Sequence, residues 1–264
     1  MKSTKSLTTK ASITTLSTSE QSPPPSINAP VPGFHHLSNS EPAPQSLQET
    51  PIREDMAPIV IPPQTGPSRK TLFLDLDDTL VKLVPFATLQ RYPASSKGKR
   101  PDFSICMSHR GEMKHLVGFM RRGLRDFLKE LAALYEVCVF TAADKNYAEA
   151  VIAEIDPDGS VFSCILSREH CSQPERGLFV KQLSRVQGRR MEDMVLIDDS
   201  LEHLEENFEN SLEMSKFGSE LGEDDELPAL AELLKDIFCD GDVRTIISNL
   251  KKALEPLSSE ESAF

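Results

Sequence analysis

Thr71-Leu72-Phe73-Leu74-Asp75-Leu76-Asp77-Asp78-Thr79-Leu80 is a run of strand-forming apolar residues that stops abruptly in a cluster of carboxylates. In an extended segment side chains alternate between faces, so Asp75 and Asp77 are expected to project the same way while Leu74 and Leu76 pack against the opposite cover. Two carboxylates then meet at one strand end. Like charges held so close repel, which is tolerable when a cation sits between them, a proton is shared, or water screens them. A divalent metal would relieve the repulsion and supply chemistry. The arrangement points to phosphoryl transfer.

Working outward, strands and helices alternate from Lys70 onward. Thr71 to Leu76 reads as the first strand. Residues from about 83 to 120 read as a β-rich insertion, with Phe103-Ser104-Ile105-Cys106-Met107 and Leu116-Val117-Gly118-Phe119-Met120 as short strands. A helix follows in which Leu124, Phe127, Leu128 and Leu131 recur at helical spacing. It leads into Glu136-Val137-Cys138-Val139-Phe140-Thr141, an apolar run of the kind a parallel strand buried on both faces requires. A second helix opens near Asp144 and presents Ala148, Val151, Ile152 and Ile155 on one face. Phe162 to Leu166 and Met194 to Ile197 are two more strands, the last closing in Asp198-Asp199. This order predicts an α/β fold with a doubly wound parallel sheet, a small β-rich insertion and C-terminal helices. Ligands bind beyond the carboxyl ends of the strands in such sheets. Both aspartate clusters and Thr141 fall at such ends.

Residues 1 to about 65 are dominated by Ser, Thr, Pro and Gln, including Ser22-Pro23-Pro24-Pro25 and Ile59-Val60-Ile61-Pro62-Pro63. Such a composition does not bury enough apolar surface to offset its ordering entropy. The expected organisation is a disordered tail over 1–66, one catalytic domain over 67–256, and a disordered C-terminus over 257–264. The first 19 residues lack acid but also lack arginine and amphipathic order, so mitochondrial targeting is not expected and the nucleus or cytoplasm is.

The net charge of −12 is unevenly spread: residues 199–264 carry about 18 acidic and about 5 basic groups. The middle, which holds the motifs, has a slight basic excess and suits an anionic ligand. There is no zinc-finger spacing, RNA-recognition signature or long basic stripe, and direct nucleic-acid binding is not expected. Lys97-Gly98-Lys99-Arg100 and Glu223-Asp224-Asp225-Glu226 read as solvated loops. No apolar run approaches the roughly 18 residues of a membrane span. The 5 cysteines contain no C-x-x-C pair and read as free thiols in a reducing compartment.

Four elements recur in order: Asp75-Leu76-Asp77-Asp78-Thr79, Val139-Phe140-Thr141-Ala142 with Tyr147-Ala148, Val180-Lys181-Gln182-Leu183-Ser184-Arg185, and Leu196-Ile197-Asp198-Asp199-Ser200. Over about residues 69 to 250 the chain resembles the haloacid dehalogenase superfamily, and within it the carboxyl-terminal-domain phosphatases of the FCP and small CTD phosphatase family. The resemblance implies a magnesium-dependent protein serine/threonine phosphatase that forms an aspartyl-phosphate. It implies Asp75 as nucleophile and Asp77 as general acid and base. Thr141 and Lys181 would bind the transferring phosphoryl group, and Arg168 would contact substrate. Metal ligands would be Asp75, the backbone carbonyl of Asp77 and Asp199, with Asp198 orienting Lys181 or supporting the metal shell. The implied partner is a phosphoprotein, such as the RNA polymerase II C-terminal domain. The chain departs from the family pattern at Asp199, where asparagine is usual, and in having no tryptophan, with Phe217 where one is expected. Two alternatives remain at this point: a small-molecule or lipid phosphatase of the same fold, and a catalytically silent binding module.

Overall fold

The computed structural model describes residues 57–64, 69–91, 100–109, 111–173, 178–218, 224–239 and 241–254, all within the unit Arg53–Phe264. The Lys97 to Lys99 run, the tail before residue 57 and the C-terminus after residue 254 lie outside the described residues. In chain order the strands are β1 (Ile59–Val60), β2 (Thr71–Leu74), β3 (Val81–Pro85), β4 (Phe103–His109), β5 (Glu112–Met120), β6 (Glu136–Phe140), β7 (Phe162–Leu166), β8 (Val186–Gln187), β9 (Met194–Asp198) and β10 (Ser211–Glu213). The α-helices are α1 (Leu124–Ala132), α2 (Lys145–Ile155), α3 (Leu201–Glu206), α4 (Glu226–Cys239) and α5 (Val243–Leu254).

The apolar run at Thr71 is central because it is paired on both sides. β2 lies parallel to β6, with Leu72 opposite Val137, and parallel to β9, with Leu72 opposite Val195. The five-stranded sheet runs β10-β9-β2-β6-β7 with every pair parallel. The chain leaves β2 toward β6 and β7, then returns to the other side of β2 for β9 and β10. The order therefore reverses between β2 and β9, and a crevice is expected beyond their carboxyl ends. Asp75 follows β2 and Asp198 ends β9.

Alternation along each strand divides the core. Leu72, Leu74, Val137, Val139, Val195 and Ile197 face one way, where α1, α2, α4 and α5 cover them. The repeat of Leu124, Phe127, Leu128 and Leu131 along α1 supplies four buried side chains, each contributing about 1.5–3 kcal/mol. Phe73, Cys138, Phe140 and Leu196 face the other way, under Leu166, Leu183, Val186, Ile59 and Ile61. Two of those covering residues correct the expected tail. Ile59 and Ile61 are buried, and β1 pairs in parallel with β8, so the fold already includes residues 57–64. Proline-rich composition hid a short apolar strap whose alternating isoleucines reach the core.

The insertion is a three-stranded antiparallel sheet, ordered β3-β5-β4. Phe119 and Val117 bury against Val84 and Phe217, so the residue at the expected tryptophan position is a core aromatic. Gly118 is required where it stands, because a Cβ there would lie 2.1 Å from the Phe103 ring. Of the Glu223 to Glu226 run, Glu223 lies outside the described residues, and the rest is not simply solvated. Buried Arg121 donates to Asp224 at 2.6 Å, lies 3.1 Å from Glu226, and donates to the Thr79 carbonyl at 3.0 Å, tying this acidic segment to the turn after β2.

Candidate active site

β2 ends at Leu74, two residues earlier than its composition suggests, because the backbone turns. Leu80 and Val81 both donate to the Leu76 carbonyl, at 3.0 and 3.1 Å, and Asp78 donates to the Val81 carbonyl at 2.8 Å. Asp78 adopts φ 60°, a left-handed conformation that aspartate tolerates better than most residues. Asp75 still extends the ladder, donating to the Ile197 carbonyl at 2.9 Å. Asp75 and Asp77 both reach the same cleft, so the expected juxtaposition is met by a turn rather than by a second pleat.

The cleft has a volume of about 560 Å³. Asp75, Asp77, Thr141, Arg168, Asp198 and Asp199 all line it. Lys181 is fully buried beneath it. Its ammonium donates to Asp75 and, at 2.6 Å, to Asp198. Thr141 follows β6, and its hydroxyl oxygen accepts the Ala143 N–H at 3.1 Å, which leaves the hydroxyl proton able to donate. Arg168 follows β7; its Nε donates to the Ala142 carbonyl at 2.8 Å and its guanidinium lies 4.9 Å from the centre of the Phe179 ring. Structural anchoring and a place on the cleft wall therefore coexist in Arg168.

The charges are poorly balanced. Asp75, Asp198 and Asp199 bring carboxylate oxygens within 4.8 Å of one another. Burial, repulsion from Asp198 and repulsion from Asp77 push the Asp75 carboxyl up to about 7 even with Lys181 beside it. Burial also raises Asp77, although the Tyr147 hydroxyl donates to it at 2.5 Å and favours its ionised form. Burial disfavours the Lys181 ammonium, but Asp75 and Asp198 more than offset this and hold its pKa above the ordinary value. Burial works against ionised Asp198 too, yet Lys181 and His203 hold it below the usual carboxylate range. Three carboxylates gathered in one place offer the hard oxygen ligands that a divalent metal ion takes. The Asp77 side chain lies outside this three-carboxylate cluster, because Tyr147 holds it.

Several participants have a role that their place in the sequence does not show. Tyr147 was visible only as part of a motif flank. His203, on α3, places Nδ1 3.0 Å from Asp198 and Nε2 2.8 Å from the Phe179 carbonyl. Asn207 donates to the Lys181 carbonyl at 2.8 Å. Lys216, on an exposed stem, lies 3.7 Å from Asp199, and Thr79 donates to Asp199 at 3.1 Å. These contacts join segments distant in sequence, so spacing along the chain does not announce them.

Residues 70–244 match the family model of NLI interacting factor-like phosphatases. A probable C-terminal domain small phosphatase of Dictyostelium discoideum is 32% identical over 178 residues, covering 67% of this chain and 54% of that protein. Phosphatase PSR1 of Saccharomyces cerevisiae is 29% identical over 180 residues, covering 67% of this chain and 39% of that protein. The chain thus spans about half or less of the length of these two relatives. CTD nuclear envelope phosphatase 1 of Xenopus tropicalis is 29% identical over 208 residues, covering 76% of this chain and 82% of that protein. Among solved structures, Fcp1, described as an essential RNA polymerase II CTD phosphatase, aligns with a TM-score of 0.46 at 24% identity, covering 72% of this chain and 55% of that chain. That likeness is too distant to add to the strand order. The family match covers well over half of the sequence, and the chain belongs to the NLI interacting factor-like phosphatase family.

Proposed function

We propose that the chain is a magnesium-dependent protein serine/threonine phosphatase that works through an aspartyl-phosphate on Asp75. One observation carries this reading: Asp75, Asp77 and Thr141 face one cleft, over a buried lysine and beside a three-carboxylate cluster. Magnesium, held by Asp75, Asp199, the backbone carbonyl of Asp77 and the support of Asp198, would neutralise charge on the phosphate. The Asp75 carboxylate attacks phosphorus, and the bond to the leaving Ser or Thr oxygen breaks. Asp77, whose burial favours its protonated form, gives that oxygen a proton. It then takes a proton from the water that attacks the aspartyl-phosphate, releasing phosphate and restoring Asp75. Lys181 and the Thr141 hydroxyl stabilise charge on the phosphoryl oxygens through both displacements.

The insertion supports a peptide rather than a small metabolite as substrate. Met107 from β4 and Lys114 and Leu116 from β5 line the cleft together with Arg168, so the insertion offers apolar and basic side chains beside the acidic centre. The RNA polymerase II C-terminal domain is the proposed substrate class by analogy with the named relatives, and the nucleus or cytoplasm the proposed location. Among the described residues no helix is long and apolar enough to cross a membrane. The test is hydrolysis of an aryl phosphate with magnesium and with EDTA, followed by phosphoserine peptides of the polymerase repeat. Magnesium-dependent turnover with preference for the peptides supports the proposal. A folded wild-type protein without turnover overturns it.

A further inference from the structure

Lys181 does not sit in the main sheet. Its segment makes one isolated bridge, Val180 with Ser172, and is otherwise held from the side by α3 and the residue that follows it. His203 contacts the Phe179 carbonyl at 2.8 Å, Asn207 donates to the Lys181 carbonyl at 2.8 Å, the Leu183 N–H donates to Asn207 at 2.8 Å, and Gln182 donates to Glu206 at 2.7 Å. Of these side chains His203 alone also reaches the charged centre. Its Nδ1 lies 3.0 Å from the same Asp198 oxygen that receives Lys181. It is buried and forms part of the cleft wall.

The shared oxygen is the informative feature. An ammonium has three N–H donors, and Lys181 spends one on Asp75 and one on Asp198, which aims the third at a phosphoryl oxygen only while those two bonds hold the ammonium in place. Asp198 is fully buried; one of its oxygens accepts the Ser200 N–H at 2.9 Å, and the other is shared by Lys181 and His203. The His203 contact fixes the direction in which the shared oxygen faces the ammonium. We propose that His203 is a positioning residue for Lys181: it fixes the Asp198 oxygen that aims the remaining N–H of the ammonium at the phosphoryl group, and it steadies the backbone two residues before the lysine. This rests on the phosphatase reading and assigns a specific role within that site.

The two ring nitrogens have different partners, so amide isosteres separate them. In H203N the side-chain nitrogen falls near Nδ1 and keeps the Asp198 contact; in H203Q it falls near Nε2 and keeps the Phe179 contact. With magnesium and an aryl phosphate, H203Q is expected to lose about tenfold to a hundredfold in kcat with little change in KM, the range of one hydrogen bond to a charged group. H203N is expected to keep most of the wild-type kcat. Thermal melts of both variants separate this from loss of fold. Equal kcat in the two variants, or losses that only follow their melting temperatures, overturns the proposal. Should an amide variant misfold, folded H203A is expected to regain kcat when imidazole is added, and no recovery overturns the proposal. An inactive wild-type protein sinks the phosphatase reading first and this role with it, an outcome distinct from an active wild type with indifferent His203 variants.

Discussion

The carboxyl end of the parallel sheet and its amino end both bury charge, and they do so in opposite ways. At the amino end one carboxylate, Glu136, receives two bonds from Arg189 at 2.6 Å, one from Thr71 at 2.8 Å and one from Gln64 at 3.0 Å. Burial disfavours its charge, but these donors more than compensate and hold its pKa below the ordinary value. At the carboxyl end Asp75, Asp198 and Asp199 crowd together, a single buried ammonium pairs with the first two, and Asp75 is pushed up to about 7. An excess of donors closes a site; a deficit leaves one ready for a cation. The amino end is a rivet and the carboxyl end is a receptor, although the same strands build both.

The comparison breaks most decisively at Asp75. Asp75→Asn removes the nucleophile and is expected to lower turnover of an aryl phosphate by roughly 10⁴-fold or more, measured against wild type at saturating magnesium. Lys181→Met should lower kcat by about 10²–10³-fold, in the range found for loss of a transition-state charge partner, and leave two buried carboxylates to repel. Its magnesium-free melting temperature should fall, and added magnesium should restore part of it; a melting temperature unmoved by the substitution would contradict the deficit of positive charge. The amino end should respond in stability alone. Glu136→Gln is expected to cost about 3 kcal/mol in denaturant unfolding by stranding Arg189, with kcat of the folded protein unchanged. Magnesium at 100 times its dissociation constant should stabilise wild type by about 2.7 kcal/mol, and Glu136→Gln by the same increment.

The two ends should also respond to pH with opposite signs. A folded pKa below the unfolded one, as at Glu136, gives stability that is present above the unfolded value and lost as pH falls through the folded one. The raised pKa of Asp75 means that the folded, magnesium-free protein binds a proton the unfolded chain has released, so stability should fall as pH rises from about 3.8 to about 7. Magnesium-free unfolding followed across that range should lose the second slope in Asp75→Asn and keep it in Glu136→Gln.

What could be read in advance follows from how local each signal is. Asp75, Thr141 and Asp198 stand at the ends of apolar runs, and a parallel strand buried on both faces has a pattern that few other elements share. Lys181 was legible only through its motif, since no strand of the main sheet carries it. β10 is too short for periodicity to show, and α3, at 6 residues, presents less than two turns. His203 and Asn207 on and after that helix act through contacts made only in the folded chain. Arg121 is the clearest instance: it lies in none of the four motifs, yet it is a fully buried hub whose side-chain partners lie 42 to 105 residues away.

The strap of residues 57–64 has a practical consequence for anyone cutting this chain. The composition changes near residue 66, and a fragment begun there would look like a clean domain. It would lose Ile59 and Ile61 from the second core, the Gln64 bond to Glu136, and the Pro62 carbonyl that Arg189 holds at 2.8 Å. Such a fragment would report a weakened rivet as though it were the native protein. The proper cut lies upstream of Ala57, whose carbonyl Arg185 grips at 2.8 Å.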